Sequence, residues 1–390
     1  MNFKNENNIL KVFLDGRIDS QNADAKEKEI DAIRNAESYD EIVFDAENLE
    51  YISSAGLRMV LRTRKAEPTL KIINTSPDVY EIFDMTGFTE MLTVEKAYRK
   101  LSVDGCEVIG KGAKGVVYRY DPDTIVKVYI NPDSLPDIHN ERKLARTAFV
   151  LGIPTAISYD VVRVGESYGS VFELLDAKSF SSLISENPEK MDGYVTDFTE
   201  LLRKIHQTQV KADDMPDIKK TIFGWVNTDK PYLSDEDFNK LYKLVADVPD
   251  TLNMLHCDFH TNNIMMQNGE TLLIDMDTLS HGHPIFELAN VYITYVGFGE
   301  KNPKIVENFI GLPYETAKTI WSKFLPAYLG TNDTARIKEV EDKVKLLSYA
   351  RFMRHTIRRG GANEDEGREI IAMCKENIST LLKNIDTLEF

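Results

Sequence analysis

The sequence predicts a small α/β domain followed by a larger α+β domain of two lobes, one strand-rich and one helical. Over residues 1–98, short apolar alternations take turns with amphipathic helical stretches. After a polar joint at 100–105 the texture changes to hairpin-like strands, and beyond Ser179 the apolar spacing is mostly helical. A chain of 390 residues has room for two or three domains at roughly 100–200 residues each.

Composition narrows the function classes. Lys and Arg number 47 against 63 Asp and Glu, a net charge of −16, which disfavours nucleic acid or an anionic membrane as partner, because a phosphate surface needs clustered positive charge. The first 100 residues hold 14 basic and 19 acidic residues and the remainder 33 and 44, so neither part carries a basic block. Cys106, Cys257 and Cys374 are too few and too scattered for a disulfide framework, and thiols are expected. No apolar run approaches the roughly 20 residues of a membrane helix. The opening Met1-Asn2-Phe3-Lys4 lacks the apolar core of a signal peptide, so the expected location is the cytoplasm.

In order along the first domain, Ile9–Leu14 reads as a strand closed by an Asp15-Gly16 turn. Asn22–Ala36 follows as a helix, Glu41–Phe44 as a strand, and Ala55–Lys65 as a helix with Leu57, Val60 and Leu61 on one face. Leu70–Ile73 reads as a strand and Asp78–Met85 as a helix. In the second domain Cys106–Ile109, Val116–Tyr120, Thr124–Tyr129, Val161–Val164 and Ser170–Glu173 read as strands. The clearest helices are Glu141–Phe149, Phe198–Gln207, Phe238–Ala246, Thr316–Tyr328 and Ile337–Arg359, with Lys211–Asp237 irregular.

The most informative stretch is His256-Cys257-Asp258-Phe259-His260-Thr261-Asn262-Asn263, followed by an apolar run and Ile274-Asp275-Met276-Asp277. Phosphoryl transfer needs a carboxylate near the attacking hydroxyl and oxygen ligands for magnesium on the nucleotide phosphates. Asp258 would supply the first, Asn263 and Asp275 the second, with Asn268-Gly269 turning a hairpin between them. Two other readings stay open: polar decoration of a hairpin, or a transition-metal site from the alternating His256, Asp258 and His260.

This stretch resembles the catalytic loop of the aminoglycoside phosphotransferase and choline kinase group of protein-kinase-like enzymes, which has the form His-x-Asp-x-His-x-x-Asn with Ile-Asp about a dozen residues on. The resemblance covers residues 101–390 and implies a strand-rich lobe over 101–175 and a helical lobe over 176–390. By it, Asp258 is the catalytic base or hydroxyl-orienting residue, and Asn263 and Asp275 are magnesium ligands. Cys257 stands where glycine is common. The later Gly282–Ala289 looks like a structural segment of these kinases, with Glu287 where Asp is more usual.

A kinase must also hold its nucleotide. Gly110-Lys111-Gly112-Ala113-Lys114-Gly115-Val116-Val117 has the Gly-x-Gly-x-x-Gly-x-Val pattern of a phosphate-covering loop, in which Gly110, Gly112 and Gly115 let backbone N–H groups approach phosphate oxygens; a plain glycine-rich hairpin is the alternative. Lys127 on the next strand can reach the α- and β-phosphates, or sit solvated. Glu141 is its candidate partner, at the start of a helical stretch. Glu173-Leu174-Leu175 resembles the hinge, where the backbone of Glu173 and Leu175 would meet the adenine edge. Arg351, Arg354, His355 and Arg358 share a helical face and could clamp an anionic acceptor, although solvated faces of this kind are common.

In the first domain Tyr51-Ile52-Ser53-Ser54-Ala55-Gly56-Leu57 precedes a helix, so the serines can cap its free N–H groups, a place that also favours a phosphate. Residues 1–98 resemble the STAS domains of anti-sigma-factor antagonists, whose Asp-Ser-Ser/Thr-Gly-Leu motif is phosphorylated on its first Ser by a partner kinase. Aligned on Gly56-Leu57, that position is Ser54, with Ser53 in place of the Asp. The expectation is therefore an ATP- and magnesium-dependent kinase acting on a small-molecule or protein hydroxyl, tethered to a STAS regulatory domain with protein partners. The rival is a partner-switching, anti-sigma-antagonist-like binding protein whose kinase fold only senses nucleotide. Phosphorylation of Ser54 by the chain's own kinase domain would join the two.

Overall fold

Asn7 and Asn8 both adopt positive φ, 53° and 61°, the backbone a two-residue hairpin needs. They join β1 (Phe3–Glu6) to β2 (Ile9–Ile18) as an antiparallel pair. The computed structural model describes residues 1–112 and 114–390. They form two units, Met1–Ser102 with Val161–Glu166, and Val103–Asp160 with Ser167–Phe390.

In the first unit β3 (Glu41–Ile52), β4 (Lys71–Thr75) and β5 (Val94–Lys96) run parallel to β2, giving the order β1-β2-β3-β4-β5. The connections are α1 (Ala23–Ala36), α2 (Ser54–Ala66), α3 (Pro77–Met85) and the single turn α4 (Phe88–Met91). β6 (Arg99–Lys100) pairs in parallel with Val162 and Arg163, which accounts for the place of 161–166 in this unit. Leu10, Val12 and Leu14 of β2, Phe44 of β3 and Phe83 of α3 are fully buried in its core.

Two sequence expectations need correction here. Asp15-Gly16 does not close β2; the register against β3 shifts on either side of it, with Gly16 at φ +65°. It is a bulge that lets the strand carry on to the buried Ile18. β3 likewise continues eight residues beyond Phe44, because Ala46, Leu49 and Ile52 remain buried although acids stand among them. β1, β5 and α4 were not legible, being only three or four residues long.

The second unit begins with β7 (Glu107–Lys111), β8 (Gly115–Asp121) and β9 (Thr124–Tyr129), an antiparallel meander. Along the chain then come α5 (Leu135–Val150), β10 (Asp160–Val164), all but Asp160 of which belongs to the first unit, and β11 (Ser167–Glu173), which pairs antiparallel with β9. α5 starts six residues before Glu141, with Pro136 in its first turn, so Glu141 is mid-helix rather than opening it.

β12 (Lys178–Ser179), α6 (Phe180–Glu186), α7 (Met191–Gln207), α8 (Ile218–Asp229) and α9 (Asp235–Asp247) follow. α8 lies inside the stretch read as irregular: the Asp217 carboxylate caps it, and Ile218, Ile222, Trp225 and Val226 recur at helical spacing and are buried. β13 (Met254–Leu255) pairs with β16 (Ser280–His281), and between them β14 (Ile264–Gln267) and β15 (Glu270–Leu273) form a hairpin. The turn is Asn268-Gly269, both at positive φ, as its sequence demands. The remainder is α10 (Ile285–Tyr295), α11 (Pro303–Ile310), α12 (Tyr314–Leu329), α13 (Thr334–Arg358) and α14 (Asp365–Leu382). Every residue of α10 is buried, which makes it the axis on which the helical lobe packs. Among the described residues no helix is long and apolar enough to cross a membrane.

Candidate active site

Lys127 occupies the middle of β9, between Val117 of β8 and Ser170 of β11. Its Nζ lies 3.2 Å from Oε1 of Glu141 on α5 and 2.6 Å from Oδ1 of Asp275, 148 residues further on. Burial opposes the Lys127 charge, but Glu141 and Asp275 outweigh it and hold the ammonium above its ordinary range. Tyr129, two residues along the same strand and so on the same face, donates its hydroxyl to Oε2 of Glu141 at 2.7 Å. Both Glu141 oxygens are thus engaged, and α5 is tied to β9 at Lys127 and Tyr129.

The hairpin β14–β15 sets Asn263 beside Asp275: Ile274 N–H donates to the Asn263 carbonyl at 3.0 Å. Asn263 Nδ2 donates to the Asp258 carbonyl at 3.0 Å and to Asp258 Oδ2 at 3.3 Å, leaving its amide oxygen available. Asp275 is at φ +59° and half-exposed. His260 Nε2 lies 3.6 Å from Asp258 Oδ2. Burial pushes the Asp258 carboxyl up, but His260, then His256 and Arg351, outweigh it and bring it down to about 2. Asp258 is therefore ionised at any ordinary pH.

One residue holds the loop in shape. Glu287, wholly buried on α10, accepts from the N–H of His256 at 2.8 Å and of Cys257 at 2.7 Å, and His206 Nε2 donates to it at 2.9 Å. The next turn of α10 adds Asn290, whose Nδ2 donates to the Cys257 carbonyl at 3.2 Å and whose Oδ1 accepts from Arg351 at 2.8 Å. Thr278 Oγ1 donates to the His256 carbonyl at 2.7 Å. Between these contacts Cys257 is fixed at φ +66°, a left-handed conformation that glycine would adopt without cost. Its thiol is buried and pushed well up, by burial and then by Glu287, so it is no nucleophile.

The three loop glycines do different things. Gly115 is required by the sheet: a Cβ there would stand 2.6 Å from the Val128 carbonyl oxygen. Gly110 and Gly112 have room for a side chain, and the Gly112 N–H already donates to the Gly115 carbonyl at 2.9 Å. Ala113 lies outside the described residues. Lys114 forms an ion pair with Asp277, which no sequence pattern announced across 163 residues. Glu173 is exposed at the end of β11 opposite Thr124, and Leu175 is half-buried just beyond.

The transition-metal alternative fails on geometry. Among the described residues no three His, Cys, Asp or Glu side chains gather at metal-binding distance, and His256 is fully buried with its ring against Phe259. A magnesium ion held partly by phosphate oxygens asks for less. The Asn263 amide oxygen and the second Asp275 carboxylate oxygen fit that donor set.

Against known proteins, residues 105–311 match the phosphotransferase enzyme family and residues 1–101 match the STAS domain. The chain belongs to the phosphotransferase enzyme family. Its N-terminal unit is a STAS domain, 34% identical over 90 residues to BtrV of Bordetella bronchiseptica, which is described as an anti-sigma factor antagonist; the match covers 22% of this chain and 77% of that one. Solved structures with likeness include a thermostable mutant of aminoglycoside phosphotransferase APH(4)-Ia, at 12% identity and TM-score 0.48 over 71% of this chain and 94% of that one. A choline/ethanolamine kinase family protein from Mesorhizobium loti shows 14% identity and TM-score 0.45 over 72% and 88%.

Proposed function

We propose that the protein is an ATP- and magnesium-dependent phosphotransferase that acts on a hydroxyl acceptor, with its STAS domain serving as a docking and regulatory module. The observation that carries this reading is the convergence of Lys127, Glu141 and Asp275 in one contact network, with Asn263 hydrogen-bonded both to the hairpin that bears Asp275 and to Asp258. Lys127, oriented by Glu141, binds the α- and β-phosphates; Gly110, Gly112 and Gly115 shape the loop above them; the backbone at Glu173 and Leu175 meets the adenine edge. Asn263 and Asp275 hold the magnesium ion, which when bound neutralises charge on the transferring phosphoryl group.

Asp258 orients the acceptor. With its carboxyl down at about 2, it is too weak a base to take a hydroxyl proton before transfer begins, so it accepts a hydrogen bond and aims the oxygen. It receives the proton only as the new P–O bond forms. In a loose transition state, positioning and charge are most of what a protein can supply.

The test is Asp275→Ala in the full chain, followed by ATP turnover and circular dichroism. Turnover is expected to fall by at least about 10²-fold, the scale of losing a principal transition-state contact, with the fold retained. Unchanged turnover would sink the assignment. In the first unit, Ser54 is proposed as a phosphorylation site that governs protein partners; it is exposed and is the first residue of α2.

A further inference from the structure

We infer that the acceptor of this phosphotransferase carries a negative charge, a carboxylate or a phosphate, gripped by Arg351, Arg354 and Arg358 on one face of α13, the helix that Arg351 ties to the loop bearing Asp258. The inference rests on the phosphotransferase reading, because it takes Asp258 as the group the acceptor hydroxyl must reach within hydrogen-bond distance. Whatever charge surrounds Asp258 in the helical lobe is then charge the rest of the acceptor meets.

Arg351 has Asp258 as its counter-charge and helps to hold it ionised, whereas Arg354 and Arg358 on the same helix face have no carboxylate contact among the described residues. The three arginines stand at i, i+3 and i+7, one above another on the helix. Arg351 reaches the catalytic loop through two hydrogen bonds, from its Nη1 to Asn290 and from Asn290 to the Cys257 carbonyl. Its guanidinium is 5.7 Å from the Trp225 ring centroid, a buried wall that fixes its plane.

Among the described residues, no carboxylate oxygen lies within 4 Å of Arg351, Arg354 or Arg358, whereas Arg336 and Arg368 nearby in sequence are each paired with an acid. Arg351 instead spends its hydrogen bond on a neutral amide. In a chain of net charge −16, Arg354 and Arg358 do not lack a carboxylate contact for want of acids.

The acid nearest Arg354 does not cancel the cluster. Asp229 is wholly buried with neither oxygen hydrogen-bonded, and burial pushes its carboxyl up to about 9 against the pull of Arg354, so it is uncharged at neutral pH. His355 reports the same field: burial, then Arg359, Arg351 and Arg354, hold its imidazole down at about 4. A planar fork of N–H donors with no carboxylate of its own is suited to take a carboxylate or phosphate from a ligand.

The test uses four probes that share a diol and differ in one substituent: glycerate, glycerol 3-phosphate, glycerol and 3-amino-1,2-propanediol. Each is titrated calorimetrically into the full chain saturated with ADP and magnesium. At least one anion should bind tenfold or more tightly than both glycerol and the amine, and which anion wins tells carboxylate from phosphate. Arg354→Gln and Arg358→Gln should each weaken that anion about tenfold, and Arg354→Lys less. Equal or better binding of the amine or of glycerol, no anion binding, or Gln variants within twofold of wild type would overturn the inference. ADP–magnesium affinity is measured first in every variant and shows that it folds. If the wild type fails to bind ADP–magnesium, the phosphotransferase reading falls; if it binds and shows no anion preference, only the acceptor inference falls.

Discussion

Asp229 is a carboxyl group sealed at the end of α8 with no hydrogen bond to either oxygen, and such a group should govern how stability responds to pH. Its folded-state value, about 9, stands above the ordinary value of 3.8. Between those limits the folded protein keeps a proton that the unfolded chain has released, so stability falls as pH rises. Asp229→Asn keeps the shape and removes the titration. Urea unfolding of the wild type should show lower stability at pH 8 than at pH 5, whereas the Asn variant should change little and exceed the wild type at pH 8 by about 1 kcal/mol or more. Equal slopes would mean that the carboxyl reaches water or a partner. Cys257 and Asp275 show the other cost at this scale, two non-glycine residues at positive φ within the candidate site. Each conformation costs about 1–3 kcal/mol and persists only because the surroundings enforce it; for Cys257 those surroundings are Glu287 and Asn290.

At the scale of elements, the glycines of the β7–β8 loop can be separated by experiment. Gly115→Ala would drive a methyl group into the Val128 carbonyl, 2.6 Å away, where only a shift of β8 against β9 gives relief. That overpacking should cost about 1–3 kcal/mol. Gly112→Ala meets nothing nearer than 4.0 Å, and its stability should stay within about 0.5 kcal/mol. Because Gly112 belongs to the loop proposed to cover the phosphates, the KM for ATP should still rise; urea unfolding and ATP titration of both variants check the pair. The same distinction explains what could be read in advance. That Lys127, Asn263 and Asp275 would come together was legible, because the proposed chemistry asks for those residue types and a strand pair or a two-residue turn fixes their spacing. Tyr129 could have been found too, by the two-residue period that puts it on the face of Lys127. The Lys114–Asp277 pair and the reach of Arg351 through Asn290 were not legible, since they join elements whose approach is decided by packing. The length of β3 was hidden for a related reason: its acids sit on a strand whose alternate positions are buried, so local polarity misled.

At the scale of the whole molecule, one chain carries a phosphotransferase-family unit and a STAS unit, and Ser54 is the proposed place for a phosphate on the second. Three features make phosphate tolerable there. Ser53, not Ser54, provides the cap, its Oγ accepting from the Ala55 N–H at 3.2 Å, so modifying Ser54 leaves the cap intact. The helix N-terminus is the positive end of its dipole, and negative charge there contributes about 0.3–1 kcal/mol. Arg58, one turn on, is exposed and free of carboxylate contacts among the described residues, in position to meet the phosphate. Gly56 behind them presses against Ile52 and Ile18 so closely that a Cβ would lie 2.6 Å and 2.8 Å from their side chains, which fixes α2 on the sheet whatever happens at its tip. A charge at Ser54 should therefore change the surface without disturbing the fold. Ser54→Asp is expected to leave the melting temperature of the full chain unchanged or slightly raised, and to change which proteins it retains in pull-down. Tandem mass spectrometry of the protein isolated from its own cells should find phosphate on Ser54. An unmodified Ser54, together with the same retained partners for wild type and Ser54→Asp, would leave Ser53 as a helix cap and Ser54 as an ordinary first residue of α2.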